Sequence, residues 1–206
     1  MSTMPDILHL PPAEVFALLT AISFAAGLNL YASVAALGLL ARFGHLPLPP
    51  GLHLLEGWPV IAASSALFVV EFFADKVPAF DLVWNALHTF IRVPVAALLA
   101  YQATAQLSPG EQLLAALLGA AVAFAAHGGK TAARAAVTPS PEPLSNITLS
   151  LGEDVLAVGL IWLAMRHPYV AGALATVLVV IVVLLIRWVF RALLALFRGA
   201  EQELAG

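Results

Sequence analysis

The chain has 206 residues, of which 62% are hydrophobic and 10% charged, and its mean hydropathy is +0.97. Soluble domains carry about 25% charged residues, so the composition excludes an ordinary water-soluble fold and predicts an integral membrane protein. A net charge of −3 gives no footprint for nucleic acid, and the lack of cysteine removes disulfides, thiolate metal sites and cysteine nucleophiles.

Residues Met1 to Pro12 contain Asp6 and no basic residue, unlike a cleavable signal, so the first apolar run is expected to stay as an anchor. That run covers 15–41, between Glu14 and Arg42, and one helix of this length would reach about 40 Å at roughly 1.5 Å per residue. Gly27-Leu-Asn29 lies near its centre. Gly27 reads first as a site of close helix packing. Its other reading is a break into two half-helices that exposes backbone groups beside Asn29 and Tyr31.

Further spans are expected at Trp58–Ala74, Leu82–Ala105, Leu113–Ala136, Ile147–Met165 and Tyr169–Val189, six in all. Pro94 should kink the third. Loops fall at His45–Glu56, Lys76–Phe80, Leu107–Gly110 and Thr138–Asn146. Ser145 and Asn146 offer N-caps for the fifth helix, and Ser150-Leu-Gly-Glu153 fits a capping-box pattern inside it. The Arg187–Arg198 tail, with Trp188 and Phe190, reads as a helix leaving through the interface. With the N-terminus inside, Lys76, Lys130, Arg134, Arg187, Arg191 and Arg198 fall on the cytoplasmic side against Arg42 and Arg166 outside, so both termini are expected in the cytoplasm of a bacterial inner-membrane protein.

The halves echo each other. Ala21-Ile-Ser-Phe-Ala-Ala26 lies over Ala121-Val-Ala-Phe-Ala-Ala126, Lys76-Val-Pro78 over Arg166-His-Pro168, and Ile91-Arg92 over Ile186-Arg187, in collinear order. The expected architecture is therefore one membrane domain over 1–206, all-α, built from inverted three-helix repeats at about 11–106 and 108–200. Inverted repeats with interrupted helices place binding sites at mid-membrane. They also record an ancestral homodimer without implying transport.

Polar residues recur at helical spacing. Asp81, Asn85, His88 and Arg92 form one stripe with Thr89 beside it. Glu71 and Asp75 lie one turn apart, His127, Lys130 and Arg134 share a face, and Glu153-Asp154 open another helix. Intramembrane charges require a partner, a water-filled cavity or the membrane surface. Here acidic residues on two helices share a depth with basic residues on a third, so helix-joining ion pairs and a solute pathway are both open readings. A metal site would need His88, His127, Glu71 and Glu153 to converge, and no His-x-x-x-His or Glu-x-x-His spacing supports it, so neither a metal nor a cofactor is expected. No hydrolase or phosphate-loop motif is present, and no catalytic residue is assigned. An intramembrane enzyme using Asp75, His88 or Glu153 is the third reading.

The stretch Gly27-Leu-Asn-Leu-Tyr-Ala-Ser-Val-Ala-Ala-Leu-Gly-Leu-Leu-Ala-Arg42 resembles a bacterial family of small membrane proteins, domain of unknown function 4126. Val70-Glu-Phe-Phe-Ala-Asp-Lys-Val-Pro78 with Asp81, Trp84 and His88 fits it, as do His127 through Arg134 to Ser140-Pro-Glu-Pro-Leu-Ser-Asn146 and Leu151-Gly-Glu-Asp154. The resemblance implies a compact multi-spanning inner-membrane protein and names no activity. The function expected first is transport or conduction of a small solute or ion between the repeats. Asn29, Tyr31, Glu71, Asp75, Asn85, His88, Arg92, His127, Lys130, Arg134, Glu153 and Asp154 would line the path. Glu71, Asp75 and His88 would carry coupling protons, and Lys130 and Arg134 would attract an anionic group. The alternative is a scaffold or accessory subunit held by buried ion pairs. The expected partners are lipid and the solute, and a homo-oligomer is compatible with the composition.

Overall fold

A computed structural model describes residues 11–44, 47–76, 78–137 and 143–204. The expectations for residues 1–10 and for Thr138–Glu142 lie outside these, as does the side chain of Asp81. The described elements are all helical: α1 (Pro12–Leu28), α2 (Leu30–Gly44), a 3-10 helix (Pro50–Glu56), α3 (Trp58–Ala74), α4 (Pro78–Ala103), α5 (Pro109–Val137), α6 (Pro143–Arg166) and α7 (Pro168–Leu204).

Proline punctuates the chain. It stands at the first or second position of every α-helix except α2, where its fixed φ suits the helix and its missing N–H would have had no partner. This moves three expected boundaries. Pro143 starts α6, so Ser145 and Asn146 sit in the first turn instead of capping it, and Ser150–Glu153 is helix interior. Pro78 starts α4 close behind Asp75, the C-cap of α3, which leaves little of the expected Lys76–Phe80 loop. The expected His45–Glu56 loop contains the 3-10 helix, bent by 68° against α3. α4 continues through Pro94 to Ala103.

Among the described residues, four helical stretches are long and apolar enough to cross a membrane: Val83–Ala103, Pro109–Arg134, Ile147–Arg166 and Pro168–Ala192. The bent pair of 3-10 helix and α3 is a fifth candidate, and α1 and α2 are shorter apolar helices. The expected third to sixth spans are therefore present as helices. The expected single span over 15–41 is two half-helices, because the chain breaks at Asn29.

α1 is apolar on all sides, the pattern of a helix surrounded by protein. Leu19, Ile22, Phe24, Ala25 and Ala26 are buried, and the helix packs against α2, α4, α5, α6 and α7. α7 keeps Val177, Val180, Ile181 and Leu184 exposed, an apolar face for lipid. Lipid is as apolar as leucine, so helices in a membrane associate mainly through close packing at small residues. A Cβ at Gly27 would lie 2.5 Å from the Ala123 carbonyl oxygen, and one at Gly172 would lie 2.6 Å from Ala17 Cα. The absence of a side chain at each lets α5 and α7 seat on α1. Gly27→Val should lower stability by about 1–3 kcal/mol through overpacking, measured as an earlier unfolding midpoint in mixed micelles. Gly152→Ala, where a Cβ meets nothing within 4 Å, should not.

Candidate functional site

The break between α1 and α2 is made by one residue. Asn29 has φ −143° and ψ 104°, an extended conformation, while its N–H still donates to Ala25 O at 2.9 Å. Its Oδ1 accepts from the Ala32 N–H at 2.9 Å, so Asn29 caps α2 in the way this residue type favours. Ser33 Oγ donates to Asn29 O at 2.7 Å. The remaining group, Nδ2, crosses to α6 and donates to Asp154 Oδ1 at 2.8 Å. Gly27 is a packing residue, and the break lies two residues beyond it, with the Asn29 N–H and carbonyl bonded within the chain instead of exposed.

Beside the break lies a network of buried charge. Glu71 on α3 pairs with the Arg92 guanidinium of α4, and both side chains are fully buried. Lys130 on α5 donates to Asp75 Oδ2 at 2.8 Å and lies 3.2 Å from Glu153 Oε2 and 3.8 Å from Glu71 Oε1. Arg134, one turn further on, places Nη2 3.0 Å from Asp75 Oδ2 and 3.0 Å from Glu153 Oε2. Its Nη1 donates to Asp75 O at 3.4 Å. The spacing of Lys130 and Arg134 sets both cations on one face of α5, between the acidic faces of α3 and α6.

The histidines are fixed by their neighbours. Arg92 Nη1 donates to His127 Nδ1 at 3.0 Å and to Asn85 Oδ1 at 3.3 Å. A guanidinium only donates, so Nδ1 accepts and the ring is neutral with its proton on Nε2. Nε2 then donates to Thr89 Oγ1 at 2.7 Å, and Thr89 donates to Asn85 O at 3.1 Å. His88 Nδ1 donates to Trp84 O at 2.7 Å, which leaves Nε2 to accept from the Tyr31 hydroxyl at 3.0 Å. The Trp84 ring stacks on His88 with centroids 4.1 Å apart. Each histidine is a satisfied structural link.

The structure thus brings together the twelve residues expected to line the path. Glu71, Asp75, Asn85, Arg92, His127, Lys130, Arg134 and Glu153 form the main network, with Asn29–Asp154 and Tyr31–His88 as satellites. Thr89, noted only as a neighbour of the α4 stripe, is the link between His127 and the backbone. Ser150, read from the sequence only as part of a capping box, is fully buried one turn before Asp154, and its hydroxyl has no partner among the described residues. Its signal was the four-residue spacing to Asp154. Lys130 and Arg134 were expected to attract an anionic solute, yet both are engaged by carboxylates of this chain.

Four carboxylates (Glu71, Asp75, Glu153, Asp154) face four cations: Arg92, Lys130 and Arg134 within the network, and Lys76, which acts on Asp154 and Asp75 from the end of α3. The one described hydrogen bond of Asp154 is to an amide, and its Oδ2 has no partner among the described residues. No group of three or more His, Asp or Glu side chains among the described residues is arranged to hold a metal ion.

No curated protein and no solved structure matches this chain. Residues 16–188 match the family model described as Domain of unknown function (DUF4126). The match spans the half-helix break, every member of the charge network and most of α7, and the chain belongs to that family.

Proposed function

We propose that the protein is a bacterial inner-membrane transporter of a small solute or ion, held here with its polar centre closed. The observation that carries this reading is the broken helix: Asn29 caps α2 and, with the same side chain, holds the Asp154 carboxylate at the edge of a buried charge network. Interrupted helices with polar groups at the break are how many transporters build a mid-membrane site. A fixed ion network is also a poor choice for mere cohesion, since apolar packing of similar volume is often as stable or more so. A carboxylate bonded to an amide, with no cation in direct contact among the described bonds, suits exchange of a proton or another monovalent cation.

Inverted repeats fit the packing. α1 packs closely on α7 as α5 does on α4, and more lightly on α4 as α5 does on α7, so exchanging the two halves maps these pairs onto each other, although α6 packs on α1 and α2 far more than α3 does on α5. Pro78 and Pro168, aligned by the internal match, each open the last helix of their half. On this topology the break is peculiar to the first half, for α5 is continuous where α1 and α2 are split.

A scaffold role is the second reading, favoured by one observation: Arg92, Lys130 and Arg134 are all bonded to carboxylates of the same chain. Electrometry on proteoliposomes adsorbed to a solid support separates the two. With a panel of inorganic ions, amino acids and organic amines, transport predicts a transient current for at least one member that empty liposomes lack. It also predicts that Asp154→Asn removes this current. A scaffold gives the empty-liposome response throughout.

A further inference from the structure

The two arms of the broken helix end on one side of the bundle. At the outer end of α1, Val15, Phe16 and Leu19 share a groove with Thr104 and Leu107, between α4 and α5, and with Glu111 in the first turn of α5. Ala17 lies against Gly172, near the start of α7. At the outer end of α2, Arg42 donates to Glu56 O at 3.1 Å and lies 4.7 Å from the Trp58 ring. Leu39 and Leu40 share a groove with Trp162, near the end of α6. Gly51 of the 3-10 helix joins these contacts, for a Cβ there would collide with the Gln102 carbonyl at the end of α4. The α4–α5 and α6–α7 connections and the 3-10 helix thus mark one end of the bundle, and Val15 and Arg42 both lie at it. Asn29 lies far below, hydrogen-bonded to Asp154 at the middle of α6.

We propose that α1 and α2 form a re-entrant hairpin, a gate that in this state seals the polar centre from the hairpin's end and leaves the opposite end as its way to water. The inference rests on the transport reading and names its gate. Irregular backbone at membrane depth is tolerated only where protein or water surrounds it, and this tip meets the condition. Asn29 is fully buried, its N–H is bonded to Ala25 O, its carbonyl to Ser33, and its side chain to Ala32 and Asp154. The 17 residues of α1 carry the tip about 25 Å inward at roughly 1.5 Å per residue. The charge network lies beyond it: Ala123 and Ala126 of α5 meet Gly27, and Lys130 and Arg134 follow one and two turns further on. The remaining crossings are α4 to α7 and the bent pair of 3-10 helix and α3. In these, α3 and α4 run opposite to α6 and α7, as inverted halves require, and the hairpin replaces the crossing that α5 makes in the second half. Lys76, Arg187 and Arg191 lie toward the network's end, against Arg42 and Arg166 at the hairpin's end, so the hairpin opens to the outer face. The start of α1, expected in the cytoplasm, then lies outside, opposite the end of α7.

Single cysteines in the full chain test both parts, since the protein has none of its own. A membrane-impermeant maleimide is applied to right-side-out and inverted vesicles. Glu14→Cys and Arg42→Cys mark the two ends of the hairpin, and Ala195→Cys, exposed beyond the α7 span, marks the opposite face. Glu14→Cys and Arg42→Cys should both label at least tenfold faster in right-side-out vesicles, and Ala195→Cys at least tenfold faster in inverted ones. Opposite preferences at Glu14 and Arg42 would overturn the hairpin, because α1 and α2 would then cross as one span. Ser150→Cys, buried one turn before Asp154, reports the gate and should label at least tenfold faster in inverted vesicles when no solute is added. Labelling as fast from the outer face, or from neither face, would overturn the sealing role. An Asp154-dependent current with Glu14 and Arg42 on opposite faces removes the hairpin and leaves the transport reading standing. A hairpin with no current from any solute removes the transport reading and the gate with it.

Discussion

Arg92→Met should destabilise the protein by about 3–5 kcal/mol, the usual effect of stripping one partner from a buried ion pair. Glu71 would keep its charge with no guanidinium beside it and only Lys130 at 3.8 Å, and His127 Nδ1 and Asn85 Oδ1 would each lose a donor. Arg92→Lys should rescue little, because an ammonium cannot span Glu71, Asn85 and His127 as the planar guanidinium does. The double variant Glu71→Leu/Arg92→Met should recover more than half of the loss, since both buried charges leave together. A double-mutant cycle in mixed micelles measures this coupling. Additive single effects, each below about 1 kcal/mol, would mean that the pair contributes nothing beyond exposed salt bridges.

Asn29→Ala removes two things at once. The cap of α2 is lost, at about 0.5–2 kcal/mol, and Asp154 Oδ1 loses its donor, at roughly 1–3 kcal/mol for an unsatisfied buried acceptor. A total near ~2–4 kcal/mol is expected from these two losses. Asn29→Asp separates the contributions, because it keeps the capping oxygen and sets a second acceptor against Asp154. Its midpoint should fall less than that of Asn29→Ala in acid, where one of the two carboxyls holds a proton, and more at neutral pH. An Asn29→Asp protein whose loss is the same at both pH values would show that the contact with Asp154 carries no energy.

Much of the site was legible in the sequence because intramembrane polarity is costly and therefore rarely accidental. Glu71 with Asp75, Asn85 through Arg92, and His127 through Arg134 stand out against alanine and leucine at helical spacing, and the structure joins these stripes. The break in the first span was legible in kind and not in position. Gly27 drew attention to itself, yet the extended residue is Asn29, whose capping role shows only when Ala32 and Asp154 are placed around it. Ser and Asn competed with proline as signals for helix starts, and proline won. At Pro143 the ring's fixed φ decided the start of α6 two residues before Ser145. Partner choice was out of reach too. Spacing shows that Lys130 and Arg134 share a face, while their engagement by Asp75 and Glu153 follows from how α3 and α6 flank α5.

The claim on which the rest depends is that this buried centre opens to water during a working cycle. The chain has no cysteine, so a single Ser33→Cys probe reports without background. Ser33 is fully buried and touches the break through its hydrogen bond to Asn29 O. The control is Val177→Cys, which sets a thiol on the lipid-facing side of α7, where the thiolate cannot form. In right-side-out and inverted vesicles, a membrane-impermeant thiol reagent should label the Ser33→Cys protein faster than this control. Labelling from at least one face is the predicted result. A Ser33→Cys protein that reacts no faster than Val177→Cys from either face would contradict the transport account and leave the network as cohesion between helices.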